Sequence, residues 1–94
     1  YYVDGVEFDD YEDGVLIDAK GPGYAHLIGH DWNTVEDELI DTANRQARAA
    51  ARTRTPIEWR IAEPELAAHL HKLQERGRFS PSIRIIQVPP TYMK

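Results

Sequence analysis

The chain has 94 residues, a net charge of −5 and no cysteine. That length suits one small domain with a modest core, and the missing cysteines exclude both a disulfide framework and a thiolate zinc site. No stretch is long and apolar enough for a membrane span, no signal peptide is visible, and the acidic balance argues against a dedicated nucleic-acid scaffold.

Tyr1-Tyr2-Val3 reads as a first strand and Asp4-Gly5 as a hairpin turn. Val6 to Tyr11 reads as a second strand and Val15 to Lys20 as a third, with Asp13-Gly14 between them. An Asp-Gly pair between apolar runs is a strong hairpin signal, because a type I′ turn needs positive φ at both central residues. Residues 1–20 are therefore expected to form a three-stranded antiparallel meander. Counting outward from a two-residue turn, Glu12 faces Val15, Tyr11 faces Leu16, Asp10 faces Ile17 and Asp9 faces Asp18. Side chains alternate faces along a strand. Glu7, Asp9, Leu16, Asp18 and Lys20 then share one face, and Asp10, Val15, Ile17 and Ala19 the other.

Gly21-Pro22-Gly23 is a turn by composition. Tyr24 to His30 is left open between one helical turn and a packed loop. Asn33-Thr34, followed by Glu36 and Asp37, looks like a helix N-terminus. The helix is expected from about Val35 to about Arg52, within the usual boundary error. Val35, Leu39, Ala43, Gln46 and Ala50 form its inward stripe, and Arg45, Arg48 and Arg52 a second, basic one. Thr55-Pro56 breaks it. Ile57, Trp59 and Ile61 alternate with Glu58 and Arg60, the pattern of a strand with one buried face. A second helix opens at Glu63-Pro64-Glu65, buries Leu66, Leu70 and Leu73, and stops at Gly77. Ile83 to Val88 is the last strand. The whole reads as an α+β chain: a β-meander followed by helix, strand, helix and strand.

The facing acids carry the chemistry. Like charges directly opposed across a ladder repel. A divalent cation is the simplest compensation, since Mg²⁺ is usually held by one or two carboxylates plus water and phosphate oxygens. Lys20 lies on the same face and can reach the same place. Two acids, a lysine and a metal are the parts needed to hydrolyse a phosphodiester. The plainer reading of Asp9 and Asp18 is a solvated strand face, and that of Lys20 an ion pair with Glu7. Gln46, on an apolar stripe, must find partners. His26, His30, His69 and His71 show no pair of metal ligands on one helix face and are expected to be structural or solvent-facing. The arginines either track phosphates or solvate their helix.

An acid on one strand followed by Asp-x-Lys on the next resembles the PD-(D/E)xK nuclease superfamily. Asp9 stands as the first acid and Asp18-Ala19-Lys20 as the (D/E)xK, with Phe8 where the motif has Pro. Val6-Glu7-Phe8-Asp9, then Gly14 through Tyr24, more narrowly resembles the restriction endonuclease fold toxin 5 domain of bacterial polymorphic toxins. Asp10 replaces that family's usual Gly. Arg45-Gln46, the Trp59 strand and the closing Ile86-Gln87-Val88-Pro89-Pro90 also fit. The resemblance implies a restriction-endonuclease-like αβββαβ core and Mg²⁺-dependent DNase activity, with Mn²⁺ as a substitute. It implies metal ligation by Asp9 and Asp18, and catalytic roles for Asp9, Asp18, Lys20 and Gln46. It further implies that residues 1–94 are the C-terminal toxin domain of a longer effector. Such an effector is secreted by a type VI or similar apparatus, with a chaperone or adaptor, and delivered into a competitor's cytoplasm. DNA is then the substrate, a cognate immunity protein the partner, and no membrane is involved. Two alternatives stay open: a housekeeping repair nuclease, and a catalytically silent protein-binding module.

Overall fold

The computed structural model describes residues 1–20 and 32–89. Its strands are β1 (Tyr2–Val3), β2 (Val6–Glu7), β3 (Asp10–Glu12), β4 (Val15–Lys20), β5 (Ile57–Ile61) and β6 (Ile83–Gln87). Helix α1 (Trp32–Thr53) lies between β4 and β5, and α2 (Pro64–Glu75) between β5 and β6. The fold is α+β, with a four-stranded sheet in the order β3-β4-β5-β6 and a separate two-stranded β1-β2 sheet. The four-stranded sheet is mixed: β3 runs antiparallel to β4, whereas β4, β5 and β6 are parallel.

Both Asp-Gly turns form as their chemistry requires. Asp4 and Gly5 have φ of 52° and 80°, and Asp13 and Gly14 have 50° and 80°. The second turn sets the register expected from counting: Glu12 opposite Val15, Tyr11 opposite Leu16, and Asp10 opposite Ile17. The meander does not form, however. The Val6–Tyr11 run breaks at Phe8 and Asp9, so β2 and β3 belong to different sheets. Phe8 is the cause. Its side chain is 2 % exposed and belongs to the main core, so the chain turns inward there. Its backbone is still satisfied, because Phe8 N donates to Tyr1 O and Tyr1 N to Phe8 O. The ladder consequently stops at Asp10, and Asp9 does not pair with Asp18 through the backbone. Asp9 N donates instead to Ile17 O at 2.9 Å. Glu7 is paired with Tyr2, not set opposite Lys20.

Helix α1 starts earlier than its Asn33-Thr34 signal suggests, so those two residues lie in its first turn. Its inward stripe is as expected, with Leu39, Ala43, Gln46 and Ala50 buried and Val35 half-buried. It closes where Arg54 takes a left-handed φ of 55° and Thr55 N donates back to Ala50 O at 3.0 Å. That geometry is more usual for glycine. Glu36 is buried on the inner side of α1 between two side chains from elsewhere: His69 Nε2 at 3.3 Å and the Arg78 guanidinium at 3.2 Å. Strand β5 buries Ile57, Trp59 and Ile61, and α2 buries Leu66, Ala67, Leu70 and Leu73. The Trp59 ring meets Phe79 edge-on at 5.1 Å, a preferred aromatic geometry. Helix α2 begins with Pro64 in its first turn and ends at Glu75, with Gly77 just beyond the Arg76 cap at a φ of 74°. No helix among the described residues is long and apolar enough to cross a membrane. Gly21-Pro22-Gly23, Tyr24, His26, His30 and Pro90 lie outside the described residues.

Candidate functional site

Parallel pairing of β4 with β5 puts Asp18 beside Trp59 and Lys20 beside Ile61. The face that carries Trp59 into the core therefore carries Asp18 and Lys20 as well. Asp18 is 7 % exposed, an unusual place for a carboxylate. Two of its three polar neighbours, Gln46 and Lys20, stabilise its charge, and Asp9 does not. Gln46 Nε2, from α1, donates to Asp18 Oδ2 at 2.9 Å. Lys20 Nζ lies 3.1 Å from the same oxygen. Asp9, at the break before β3, brings its carboxyl within hydrogen-bonding reach of Asp18. Burial pushes the Asp18 carboxyl above its usual range. Lys20 pulls it back down, the Asp9 carboxyl raises it, and the Gln46 amide lowers it.

The pairing of Asp9 with Asp18 expected from the ladder is thus reached by another route. Asp9 is anchored by a turn of the chain, with its Oδ2 accepting from Ala19 N at 2.7 Å. Asp10 has its own local bond, from Tyr11 N to Oδ1 at 2.7 Å, and is exposed. The four residues singled out in the sequence, Asp9, Asp18, Lys20 and Gln46, all line one cavity of about 400 Å³. Glu7, Thr42 and Arg45 complete much of its wall. Lys20 pairs with Asp18 rather than with Glu7, and its ammonium also sits 4.8 Å from the centre of the Trp59 ring. His69 is engaged with Glu36 and His71 is exposed, and neither lines the cavity.

Trp59 is the residue that reading the sequence did not connect to the site. Its Nε1 donates to Gln46 Oε1 at 2.7 Å, and both side chains are buried. The chain Trp59–Gln46–Asp18 uses both ends of the amide, which fixes which end of Gln46 faces the carboxylate. Alternation on β5 marked Trp59 as core, but nothing in its spacing pointed across to α1. Thr42, one turn before Gln46 on α1, shares its helix face by i,i+4 spacing, and Arg45 lines the same cavity from the adjacent position.

Among the described residues, no group of three or more His, Cys, Asp or Glu side chains is placed to hold a metal ion. The donor set at Asp9 and Asp18 is smaller: two carboxylates opening on a polar cavity. This fits Mg²⁺, which commonly keeps several waters and takes its remaining oxygens from a substrate phosphate. It does not fit zinc, whose structural and catalytic sites draw on histidine or thiolate. In the comparisons, no family model, no curated protein and no solved structure matches the chain.

Proposed function

We propose that the protein is a metal-dependent phosphodiesterase, a nuclease whose site is Asp9, Asp18, Lys20 and Gln46. The observation that carries this reading is the convergence of two carboxylates and an ammonium at the wall of one polar cavity. Asp9 and Asp18 would hold the cation. When bound, a divalent cation supplies phosphate polarisation and an activated water. Lys20 Nζ, at the cavity wall, stabilises negative charge that builds on the phosphate. Gln46 holds the Asp18 carboxylate in one orientation, and Trp59 holds Gln46; both are positioning residues. Arg45, further along the wall, adds a positive charge for a flanking phosphate.

The resemblance of Phe8 to Tyr24 supports the narrower reading. On it, the chain belongs to the PD-(D/E)xK nucleases, acts on DNA as an antibacterial toxin, and is held off by an immunity protein until delivery to a target cell. Plasmid degradation in Mg²⁺ tests the activity. Asp18→Ala and Lys20→Ala are each expected to abolish it while circular dichroism stays native. Cleavage at wild-type rate by either folded variant refutes the assignment.

One observation favours a second reading. Lys20 already neutralises one carboxylate, so part of the charge is balanced without a cation. A silent binding module would need nothing more. Titration calorimetry with Mg²⁺ and Mn²⁺ separates the two, because only the nuclease reading requires a cation to bind and Asp9→Ala to abolish that binding.

A further inference from the structure

The catalytic cavity does not end at Arg45. A second cavity, of about 190 Å³, shares Val6 and Arg45 with it and continues past Arg48 and Arg52. One side of this run is α1; the other is the β1-β2 hairpin, through Asp4 and Val6. Arg45, Arg48 and Arg52 are spaced by three and four, so they line one helix face. Arg45 and Arg52 are seven positions apart, about 10 Å along the helix axis, roughly three steps of a nucleic-acid strand that rises about 3.4 Å per nucleotide.

The charges along this face are free to change partners. Arg45 pairs with Asp41 at 3.2 Å and Arg52 with Asp4 at 2.9 Å, and all four side chains are well exposed. Exposed pairs of this kind contribute little to stability. A phosphate can replace either carboxylate with a bidentate contact to the guanidinium. The chain as a whole is acidic, at −5. A polyanion is therefore repelled by most of its surface and admitted where positive charge is concentrated.

Resting on the nuclease reading of the adjoining cavity, we infer that the groove between the β1-β2 hairpin and α1 is the track for the substrate's phosphate backbone. A strand entering the site runs from the carboxylates toward the C-terminal end of α1, with Arg45, Arg48 and Arg52 on phosphates spread over about three nucleotide steps. Asp4 acts as a competing anion that a phosphate must displace from Arg52. The substrate must then extend by about three nucleotides on this side of the scissile bond.

The test is fluorescence anisotropy in EDTA with a labelled oligonucleotide of about 12 nucleotides, within the usual range of single-strand site sizes. Arg48→Ala/Arg52→Ala is expected to weaken binding and to flatten the dependence of log K on log salt by about 0.7 per arginine, the value for a single strand. Asp4→Asn is expected to tighten binding at low salt; asparagine tolerates the positive φ that Asp4 holds. An unchanged salt slope in the double variant overturns the proposal. So does competition by polyglutamate as effective as by unlabelled oligonucleotide, which would assign the groove to an acidic protein. Plasmid cleavage in Mg²⁺ is read separately. Binding that follows the arginines in a protein that never cleaves keeps the track and removes the nuclease. Cleavage that depends on Asp18 while binding ignores the arginines does the reverse.

Discussion

Gln46→Met tests whether the Trp59–Gln46–Asp18 chain is what makes a buried acid tolerable. Methionine keeps the length, the unbranched shape and the helix propensity of glutamine but offers neither end of the amide. Two bonds are lost at once: Nε2 to Asp18 at 2.9 Å and Trp59 Nε1 to Oε1 at 2.7 Å. The first is a bond to a charged acceptor, worth about 1.5–3 kcal/mol. The second leaves an indole N–H orphaned in a side chain with no exposure, at about 1–3 kcal/mol. Some of this returns as apolar burial of the new thioether, so a loss of about 2–5 kcal/mol is expected. Against a total of about 5–15 kcal/mol for a natural fold, that is a large fraction. Urea unfolding followed by circular dichroism measures it.

The double-mutant cycle makes the cause visible. In a Trp59→Phe background no indole donor remains to be orphaned, so Gln46→Met should cost about 1–3 kcal/mol less. Additivity within about 0.5 kcal/mol would refute the reasoning, because independent sites add and coupled ones do not. Gln46→Met should also push the Asp18 carboxyl further up, since the amide is one of the groups that hold it down.

The other expectations follow from single residues. Asp18→Asn should stabilise the protein at neutral pH: the folded-state pKa of Asp18 is raised above 3.8, so its ionisation opposes folding. Below the unfolded value Asp18 is protonated in both states, so wild type and variant should converge there; the gap opens as pH rises through the folded pKa and is full above it. Unfolding curves across that range check the sign, and a variant less stable at pH 7 than at pH 3, relative to wild type, would contradict it. Phe8→Ala should cost about 3–5 kcal/mol by urea unfolding, because it empties a core site at the break between β2 and β3. Asp9→Ala should abolish cation binding by calorimetry whereas Asp10→Ala leaves it intact, since only Asp9 lines the cavity; equal losses would show that the carboxylate pair is not the ligand set.

Local chemistry was the most legible part of the sequence. Asp4-Gly5 and Asp13-Gly14 each announce two consecutive positive φ angles, and only a type I′ hairpin uses them. The register of β3 on β4 then follows by counting, and so does the face of Asp18 and Lys20. Helical and strand periodicity placed Gln46 inward and Trp59 in the core for the same reason: short repeats are set by geometry within the element. What could not be read is what lies between elements. Phe8 sits in a run of strand-forming residues, and alternation there is compatible with a continuous strand. Only the core into which it turns decides otherwise, and that core is assembled from β4, β5, β6, α1 and α2. The bond from Trp59 to Gln46 joins residues of a strand and a helix whose relative placement no local pattern encodes. An ion pair of Lys20 with Glu7 requires the continuous strand that would set them opposite; the strand breaks, and Lys20 Nζ pairs with Asp18 at 3.1 Å.

The charge balance of the cavity bears on what can occupy it. Asp9 and Asp18 bring two carboxylates and Lys20 one ammonium; Asp9 is exposed, so it is the burial of Asp18 that opposes an unbalanced charge. Burial raises the Asp18 carboxyl above its ordinary value, so the negative charge there is costly without a partner. A divalent cation together with one phosphodiester balances the trio: it changes the sum by +2 and −1, and the total becomes zero. A cation alone would leave the site positive and a phosphodiester alone would leave it more negative, so each favours the arrival of the other. Lys20 is held both by Asp18 at 3.1 Å and over the Trp59 ring at 4.8 Å. The ring gives its ammonium a second resting place, so a cation can take over Asp18 Oδ2 without driving the lysine out of the cavity. A site built only to satisfy Asp18 would need neither Asp9 nor that second place; on the nuclease reading proposed above, both serve a cation and a phosphodiester that bind together.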